Sequence, residues 1–276
     1  MAGRGDRDGS GSVSEQRPPR FAGKVAIITG ASTGLGPVMA KRFVDEGAKV
    51  LVAARRTELV RQVAADSGPN AMSMGVDVTV EDEVVSMVAR AVEEFDQVDI
   101  LCNNAAVPGN DVWVWEQTLE NWNATIAVDV TAAMLCTREV LKQTMLERRS
   151  GVIINFSSTA SLQGVARKSH YVTAKAALRA FTQTVAREVG PYGIRCNCIV
   201  PGGIDTELWQ RWVQRTAAER GLEVEEQRTK LLAGTALRDI SSTDDVANLA
   251  LFLASDESRT ITGQSIIVDA GGVLLG

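Results

Sequence analysis

The stretch that decides the fold is Lys24-Val25-Ala26-Ile27-Ile28-Thr29-Gly30-Ala31-Ser32-Thr33-Gly34-Leu35-Gly36. Its first half is short, apolar and rich in β-branched residues, which predicts a buried strand. Its second half is a glycine-rich turn, and a helical pattern from Pro37 to Glu46 follows it. Glycines let the backbone approach a diphosphate closely, and a helix amino terminus offers free N–H groups and a positive dipole end. The stretch therefore predicts a strand, a turn and a helix that together hold a phosphate-containing ligand.

The rest of the chain alternates apolar runs with helical patterns. The runs Val98 to Cys102 and Gly151 to Phe156 are too long and too unalternating for half-exposed strands, whereas Val80 to Phe95 has a helical pattern. This alternation predicts an α/β fold with a doubly wound parallel sheet, helices on both faces and a ligand crevice at the carboxyl ends of the strands. With 276 residues, of which 45% are hydrophobic, the chain can form one large core, so we expect a single domain over residues 21–276.

A second group of residues has the chemistry of proton transfer. Tyr171 and Lys175 stand four residues apart, and Ser158 lies thirteen residues before the tyrosine. If the chain is helical from about Ser169, the phenol and the ammonium project from one helix face. A phenol with an ordinary pKa near ~10 is a poor base at neutral pH, but a fixed cation beside it favours the phenolate. This spacing is common on ordinary helices, so its meaning depends on the other motifs.

With both groups in view, the sequence resembles the short-chain dehydrogenase/reductase family, with its Thr-Gly-x-x-x-Gly-x-Gly loop and its Ser, Tyr-x-x-x-Lys active site. The resemblance runs from about Phe21 to Gly272. It implies a Rossmann-like fold, a homotetramer, and hydride transfer between a nicotinamide cofactor and a secondary alcohol or ketone. It also implies that Tyr171 is the acid/base, that Lys175 supports it and binds the nicotinamide ribose, and that Ser158 binds the substrate oxygen.

The resemblance also assigns cofactor-binding residues, which follow successive predicted strands. In the family the segment at Asp77-Val78 meets the adenine, and the turn from Pro201 to Thr206 meets the nicotinamide carboxamide. Asn103-Asn104-Ala105-Ala106 resembles the family motif Asn-Asn-Ala-Gly after the fourth strand. The assigned residues are Gly30, Ser32, Thr33, Gly34, Leu35, Gly36, Arg55, Arg56, Asp77, Val78, Asn104, Ala105, Tyr171, Lys175, Pro201, Gly202, Ile204 and Thr206.

The type of cofactor is indicated by the end of the second predicted strand, Lys49 to Ala54, which Arg55 and Arg56 follow. An acidic residue at that strand end binds the ribose hydroxyls of NAD, whereas an arginine accommodates the 2′-phosphate of NADP. Ala54 occupies the acidic position, and the guanidinium of Arg55 can bind a phosphate through two N–H groups. We expect NADP(H) to be preferred, with NAD(H) possible. The alternative is that both arginines are solvated at the start of a loop.

One residue departs from the family pattern. Where relatives have asparagine in a helix after the fourth strand, this chain has Asp129, in Ala-Val-Asp-Val-Thr. In the family the backbone carbonyl at this position helps to hold a water in a proton relay to the active-site lysine. Under one interpretation the change of side chain therefore has little effect. Under the other, the carboxylate lies close to Lys175, pairs with its ammonium and raises the pKa of that lysine, which weakens or retunes the relay. We therefore include Asp129 among the candidate catalytic residues.

Four tryptophans indicate the kind of substrate. They are Trp113 and Trp115, after the fourth-strand motif, and Trp209 and Trp212, after the later turn. Because these two loops flank the substrate in the family, one interpretation is an apolar wall with His170 at the pocket rim, which predicts a bulky cyclic, aromatic or terpenoid substrate. The other is that the indoles bury against each other or at a subunit contact. The charged helical segment 208–232 is expected to be a mobile lid.

Two alternative functions fit the same motifs. One is reduction of a 3-oxoacyl thioester, for which Arg167-Lys168 is a candidate basic patch at the pocket mouth. The other belongs to a different class, a cofactor-binding protein with impaired catalysis, of which Asp129 would be the first sign. The presence of Ser158, Tyr171 and Lys175 argues against impairment.

Composition argues against several other classes. A formal charge of −5 with scattered signs argues against a nucleic-acid partner. No run approaches the ~18 apolar residues of a membrane helix, so we expect a cytoplasmic protein without a membrane partner. The four cysteines and the single histidine lack the spacing of a metal site, so we expect buried free thiols and no metal. The first twenty residues, rich in Gly, Arg, Asp, Ser and Pro, predict a disordered tail.

Overall fold

The structure, a computed structural model, describes residues 19–274. The strands are β1 (Val25–Thr29), β2 (Lys49–Ala54), β3 (Ala71–Gly75), β4 (Ile100–Asn103), β5 (Gly151–Phe156), β6 (Ile194–Pro201) and β7 (Ser265–Val268). The α-helices are α1 (Leu35–Asp45), α2 (Thr57–Ser67), α3 (Glu81–Phe95), α4 (Leu119–Ile126), α5 (Ala132–Val140), α6 (Leu146–Arg148), α7 (Ala160–Gln163), α8 (Ser169–Val189), α9 (Glu207–Arg220), α10 (Val224–Leu232) and α11 (Thr243–Ala254). Two π-helical turns, Ala127–Thr131 and Leu141–Met145, join α4, α5 and α6 into one interrupted helix.

The described strands form one parallel sheet in the order β3-β2-β1-β4-β5-β6-β7. The order reverses at β1, where Ala26 pairs with Val50 of β2 on one side and with Ile100 of β4 on the other. The loops that leave β1 and β4 therefore diverge and leave a crevice at the carboxyl edge of the sheet. The doubly wound, single-domain fold expected from the sequence is confirmed.

Helices cover both faces of the sheet. Successive side chains of each central strand point to opposite faces, so both sets of side chains are buried. In β1, Ala26 and Ile28 pack in the layer of α1 and α11, whereas Ile27 packs in the layer of α3, α5 and α8. All three side chains are fully buried. This burial on both faces explains why the central strands have continuous apolar sequences.

The first helix begins earlier than predicted. It starts at Leu35 instead of Pro37, because Gly34 adopts φ 66° and ψ −126° and turns the chain directly into the helix. A positive φ of this kind favours glycine. Helix α8, by contrast, begins at Ser169, as predicted.

The charged segment 208–232 forms two helices. α9 ends at Arg220, and Gly221 follows it in the left-handed region with φ 66°, which stops the helix. α10 then begins at Val224. The helical pattern of the segment is confirmed, and the glycine inside it is the reason for the break.

The predicted tail lies outside the described residues, apart from Pro19 and Arg20. Nη2 of Arg20 lies 2.8 Å from Oε1 of Glu46, and Pro19 packs beside Gly47. These two residues therefore belong to the folded domain. Over residues 19–274, no helix combines the length and the apolar character that crossing a bilayer requires.

Gly36 provides a test of how tightly the first turn is packed. A Cβ on this residue would stand 2.6 Å from the Cα of Ala31 and 2.9 Å from the carbonyl oxygen of Gly30. Because both are backbone atoms, we expect Gly36→Ala to lower the free energy of unfolding by about 1–3 kcal/mol, the usual cost of overpacking. Chemical denaturation measures this change.

The matched control is Gly190→Ala. Gly190 has φ −53°, which alanine adopts readily, and no atom lies within 4 Å of its Cβ position. This substitution should be neutral or stabilise the fold slightly, by up to about 1 kcal/mol. Equal losses in the two variants would contradict the packing argument.

Candidate active site

A cleft of about 310 Å³ opens at the carboxyl edge of the sheet, beside the loops that follow β1, β2, β3 and β4. Its walls are Gly30, Ser32, Thr33, Ala54, Arg55, Arg56, Val76, Asp77, Val78, Asn104, Ala105, Ala106, Val107 and Val128. Residues predicted to bind the cofactor at four different places in the sequence thus line one cleft. The sequence did not single out the apolar members Ala54, Val76, Ala106, Val107 and Val128 as ligands, although most lie at or just after a predicted strand.

The other predicted cofactor residues lie outside these walls: Gly34, Leu35, Gly36, Tyr171, Lys175, Pro201, Gly202, Ile204 and Thr206. Leu35 and Gly36 are buried, so their contribution is to pack the start of α1 against the sheet. Thr206 is the N-cap of α9, since its hydroxyl accepts a hydrogen bond from Trp209 N at 3.4 Å. Leu35, Gly36 and Thr206 thus define where α1 and α9 begin.

Close packing between two loops forms the floor of the cleft. A Cβ on Gly30, which has φ 65°, would stand 2.6 Å from the Cα of Ala105. The side-chain amide of Asn104 donates to the carbonyl oxygens of Thr29 and Gly30, at 3.0 and 3.1 Å. The Thr29 hydroxyl in turn accepts from the backbone N–H groups of Asn104 and Ala105. The turn after β1 is therefore fixed by the loop after β4, and only glycine fits at the contact.

The two arginines after β2 differ in their contacts. Nη2 of Arg56 donates to the hydroxyls of Ser32 and Thr33, at 2.8 and 2.9 Å, and so ties the end of β2 to the glycine turn. Arg55 has no hydrogen bond or ion pair to any residue within 19–274. Its charge acts on Asp77 instead: burial would raise the pKa of Asp77, but hydrogen bonds from Thr79 and the charge of Arg55 outweigh it, and the pKa is lowered. The guanidinium of Arg55 is therefore available to a ligand in the cleft.

Tyr171 and Lys175 lie on the same side of α8, and Lys175 is almost completely buried. Its Nζ stands 5.6 Å from the centre of the Tyr171 ring and donates to the carbonyl oxygen of Phe156, the last residue of β5, at 3.1 Å. The hydroxyl of Ser157 donates to the carbonyl oxygen of Lys175 at 2.7 Å. These bonds tie α8 to the end of β5, and Ser158 follows at once in the chain.

Asp129 lies in the π-helical turn Ala127–Thr131, a kind of irregularity that is frequent at functional sites. Its Oδ1 accepts from the backbone N–H of Val107 at 2.8 Å, and its Oδ2 lies 3.0 Å from Nζ of Lys175. The second contact lacks hydrogen-bond angles, so its attraction is mainly coulombic. The carboxylate thus reaches Lys175, as the second interpretation of Asp129 requires, and the effect on proton transfer stays a prediction.

The contact with Asp129 affects the pKa of Lys175. Burial alone would lower the pKa of Lys175, but the charge of Asp129, followed by Tyr171, outweighs it, and the pKa is raised. Lys175 is therefore an ammonium throughout the neutral range.

Comparison with known proteins assigns the chain to a family. The family model described as "Enoyl-(Acyl carrier protein) reductase" matches residues 30–272. Momilactone A synthase from Oryza sativa subsp. japonica is 36% identical over 256 residues, which are 91% of this chain and 90% of that protein. The 2,5-dichloro-2,5-cyclohexadiene-1,4-diol dehydrogenase LinX from Sphingobium indicum is 36% identical over 257 residues, which are 91% of this chain and 97% of that protein. The solved structure of NAD+-bound xylitol dehydrogenase has a TM-score of 0.86 at 28% identity and covers 91% of this chain and 100% of that chain.

The chain belongs to the short-chain dehydrogenase/reductase family. Proteins of this family are oxidoreductases of alcohols and ketones that bind a nicotinamide cofactor. The cleft of this short-chain dehydrogenase/reductase fits such a group, because Gly30, Ser32 and Thr33 of the turn line it and the absence of a side chain on Gly34 leaves the backbone of the turn open to a diphosphate. No atom lies within 4 Å of the Cβ position of Gly34.

His170, which the sequence predicts at the rim of the substrate pocket, lies beneath the loop after β4. Its side chain is fully buried, and its Nε2 is hydrogen-bonded to the carbonyl oxygen of Pro108 at 3.1 Å, so this nitrogen is the donor. A Cβ on Gly109, which has φ 62°, would stand 2.4 Å from Nε2, so the loop closes directly over the ring. Consecutive helical residues point about 100° apart, which turns His170 away from the side of Tyr171. The imidazole anchors the loop after β4 (residues 104–118, the β4 loop).

Two of the four tryptophans stack on each other but remain partly exposed. Trp113 and Trp115 stack on each other, with ring centres 5.1 Å apart and an angle of 4° between planes, yet 43% and 76% of their surfaces are exposed. Trp209 is half-buried, and its Nε1 lies 2.9 Å from the Cβ position of Gly203. Within residues 19–274 the stacked pair is the one ring contact between tryptophans, and whether all four line one substrate wall stays a prediction.

No sequence motif marks Asp111, which joins three segments around the site. Its Oδ1 lies 2.6 Å from Nζ of Lys168, and its Oδ2 lies 2.6 Å from Nη2 of Arg215 on α9. Burial would raise the pKa of Asp111, but Lys168 and then Arg215 outweigh it, and the pKa is lowered. The carboxylate therefore holds the β4 loop, the start of α8 and the helix α9 together at neutral pH. Its partners are distant in sequence, which is why local patterns do not reveal it.

Removing the charge of Asp111 should loosen α9. Asp111→Asn keeps the size of the side chain but breaks both ion pairs, so we expect the amides of α9 to exchange with solvent about two- to fivefold faster, as partly exposed ion pairs contribute little each. Because the folded pKa of Asp111 is lowered, its contribution is present above the ordinary carboxyl pKa and is lost as the pH falls through the folded value. Hydrogen exchange followed by mass spectrometry at neutral pH measures the effect.

The matched control for this test is Asp205→Asn. Asp205, which lies just before α9, accepts a hydrogen bond from Gln210 of that helix at 3.0 Å but has no partner among the described residues of the β4 loop. Its substitution should change exchange over α9 less than that of Asp111. If Asp111→Asn left the exchange of α9 unaltered, the ion pairs would not be holding the helix.

Proposed function

We propose that this protein is an NADP(H)-preferring dehydrogenase or reductase of a secondary alcohol or ketone with a bulky apolar body. The observation that best supports the reaction is the buried ammonium of Lys175, bonded to Phe156 and 5.6 Å from the ring of Tyr171. A fixed cation beside a phenol is what proton exchange with a substrate oxygen requires. Family membership supports the same reaction class.

The roles of the side chains follow from this arrangement. When bound, the nicotinamide cofactor supplies the acceptor or donor of the hydride. In oxidation Tyr171 takes the proton of the substrate hydroxyl, and Lys175 stabilises the charge that develops on the phenol oxygen. Ser158 donates a hydrogen bond to the same substrate oxygen as charge builds up on it. In reduction the direction reverses, and Tyr171 donates the proton.

The contacts of the two arginines support NADP(H) as the preferred cofactor. Arg56 is occupied by Ser32 and Thr33, whereas Arg55 lines the cleft without a hydrogen bond or ion pair to residues 19–274. Ala54 places no carboxylate at the end of β2, so no group there repels a 2′-phosphate. The xylitol dehydrogenase of the solved structure holds NAD+, so the preference of this chain has to be measured.

The exposed faces of Trp113 and Trp115 support an apolar substrate. Indole surfaces in contact with water gain most from an apolar or aromatic ring, whereas a polyhydroxylated chain would need polar partners there. The Sphingobium indicum relative acts, by its name, on a substituted cyclohexadiene diol. A cyclic alcohol or ketone is therefore the substrate class that we propose.

The alternative as a 3-oxoacyl-thioester reductase has less support. Its candidate basic patch is already engaged, since Lys168 is paired with the carboxylate of Asp111 and Arg167 donates to the backbone oxygen of the same residue at 3.1 Å. The alternative of impaired catalysis depends on Asp129 alone. Both remain outcomes of the activity tests below.

Three finer features belong to the same proposal. α9 and α10 form a lid, because α9 is tied to the β4 loop through an ion pair between the exposed Arg215 and the less exposed Asp111, and this pair can separate. The protein is a homotetramer assembled through the long helices that contain Asp129 and Tyr171, which light scattering measures. It works in the cytoplasm, where its four cysteines, all buried and free, stay reduced.

Arg55→Ala tests the choice of cofactor. A charged hydrogen bond contributes about 1.5–3 kcal/mol, so the unmodified protein should favour NADP(H) over NAD(H) about tenfold or more in kcat/KM, and the variant should lose most of that preference. Arg61→Ala is the control, because Arg61 is exposed on the neighbouring helix α2 and pairs with Glu58. Equal or better use of NAD(H) by the unmodified protein would show that Arg55 does not select the cofactor.

Tyr171→Phe tests the reaction itself. Without the hydroxyl no proton can be exchanged, so turnover of cyclic alcohols and ketones should fall by a factor of about 100 or more, whereas cofactor binding should persist. The assay follows the reduced nicotinamide with a panel of cyclic ketones, their alcohols and an acetoacetyl thioester. Faster reduction of the thioester would favour the alternative activity, and absence of turnover in the unmodified protein with every compound would favour impaired catalysis.

A further inference from the structure

Tyr171 lies between two lysines, each of which is paired with an aspartate. Nζ of Lys175 is 5.6 Å and Nζ of Lys168 is 5.7 Å from the centre of the Tyr171 ring. Lys175 pairs with Asp129 at 3.0 Å, and Lys168 pairs with Asp111 at 2.6 Å. The phenol therefore experiences two cations whose charge is balanced by neighbouring carboxylates.

The two pairs differ in their access to solvent. The side chains of Lys175 and Asp129 are 3% and 0% exposed, whereas those of Lys168 and Asp111 are 19% and 14% exposed. Asp111 also shares its charge with Arg215. Water and ions screen the outer pair, so the inner pair has the larger influence on the phenol.

Among residues 19–274, no other carboxylate pairs with the inner lysine. The groups that face Lys175 from the elements around it are Asp129 on the π-helical turn, Tyr171 on α8 and Cys198 on β6. Burial raises the pKa of Cys198 to about 11, so this thiol is uncharged at neutral pH. Lys168 adds a second cation near the Tyr171 ring. Asp129 is thus the carboxylate that balances Lys175.

We propose that Asp129 is a positioning residue that sets the proton affinity of Tyr171 through Lys175. Its carboxylate balances the buried ammonium, so the phenolate forms at a higher pH than it would beside a lysine with no anionic partner. This inference rests on the proposed role of Tyr171 as the acid/base. It assigns a function to the charge of Asp129, which is separate from any role of the backbone at this position.

The geometry allows the charge to be removed on its own. In Asp129→Asn the amide oxygen can still accept from Val107 N, as Oδ1 does now at 2.8 Å. What disappears is the negative charge beside Lys175. Any change in Tyr171 in this variant therefore reports on charge, because the anchor of the β4 loop is retained.

The chain offers a direct readout, because it contains only two tyrosines. In a Tyr192→Phe background, the near-ultraviolet absorbance of tyrosinate reports on Tyr171 alone. The full-length protein is titrated without cofactor, with and without Asp129→Asn, and circular dichroism verifies the fold at each pH. We expect the midpoint of the titration to fall by about one pH unit or more when the carboxylate is removed. This readout needs no turnover, so it is independent of whether the proposed substrate class is right.

Two control variants show how the shift of the Tyr171 midpoint depends on where the removed carboxylate lies. Asp66→Asn removes an exposed carboxylate on α2 that accepts only from Gln62 among the described side chains, and it should leave the midpoint unchanged. Asp111→Asn removes the carboxylate of the outer pair and should shift the midpoint in the same direction as Asp129→Asn but by less, because solvent screens it. A shift in Asp111→Asn as large as that in Asp129→Asn would overturn the dominance of the inner pair.

The remaining outcomes also decide the proposal. An unchanged or higher midpoint in Asp129→Asn would overturn it, since the carboxylate would then not be holding the phenol protonated. Failure of Asp129→Asn to fold would overturn it as well, because the charge would then be required for folding and could not be assigned to the control of the proton affinity of Tyr171. As a second readout, the pH dependence of kcat/KM for alcohol oxidation should move to lower pH in the same variant by a similar amount.

Discussion

The ammonium of Lys175 lies almost completely out of contact with water, with 3% of its side chain exposed. A charge in such a place destabilises the fold unless an opposite charge and hydrogen-bond acceptors surround it. The carbonyl oxygen of Phe156 and the carboxylate of Asp129 meet that need, and they come from β5 and from the π-helical turn. Because one ammonium binds both, β5, α8 and the interrupted helix α4–α6 are fixed relative to one another at the point where the cleft opens.

The same set of contacts extends into the β4 loop. The second oxygen of Asp129 holds Val107, and His170, the neighbour of Tyr171, holds the carbonyl oxygen of the next residue, Pro108. Near its middle the loop is held by the ion pairs of Asp111. The loop that lines the cleft is therefore anchored mainly to the segments that contain Lys175, Asp129 and Tyr171. Under the proposed function, cofactor binding and proton transfer share one scaffold, and a displacement of the loop would also displace Tyr171 and Lys175.

The sequence predicted the fold, and it named many of the residues that line the cleft, for identifiable reasons. The fold follows from strands with continuous apolar sequences such as Gly151–Phe156, which need cover on both faces, and from the glycine turn. The cleft residues follow strand ends, so their order in the chain was enough to bring them together. The contacts of His170 and Asp111 were not accessible in this way, because they depend on which way a side chain turns and on partners from distant segments. The same limit applies to Asp129: the sequence showed the substitution, but only the position of Lys175 showed that the carboxylate meets a buried cation.

Asp129, where relatives have asparagine, has opposite effects on the stability of the fold and on the proton affinity of Tyr171. With asparagine at position 129, the buried ammonium would face an amide, and its burial would be compensated only by hydrogen bonds. With Asp129 the pair is electrically balanced before any ligand binds, which reduces the cost of burying Lys175. The same balance weakens the field that favours the phenolate of Tyr171, since the cation and the carboxylate act on the phenol with opposite signs. Such a site is more stable without a ligand, but less of its Tyr171 is in the phenolate form that accepts a proton near neutral pH. A trade-off of this kind between stability and activity is common at active sites.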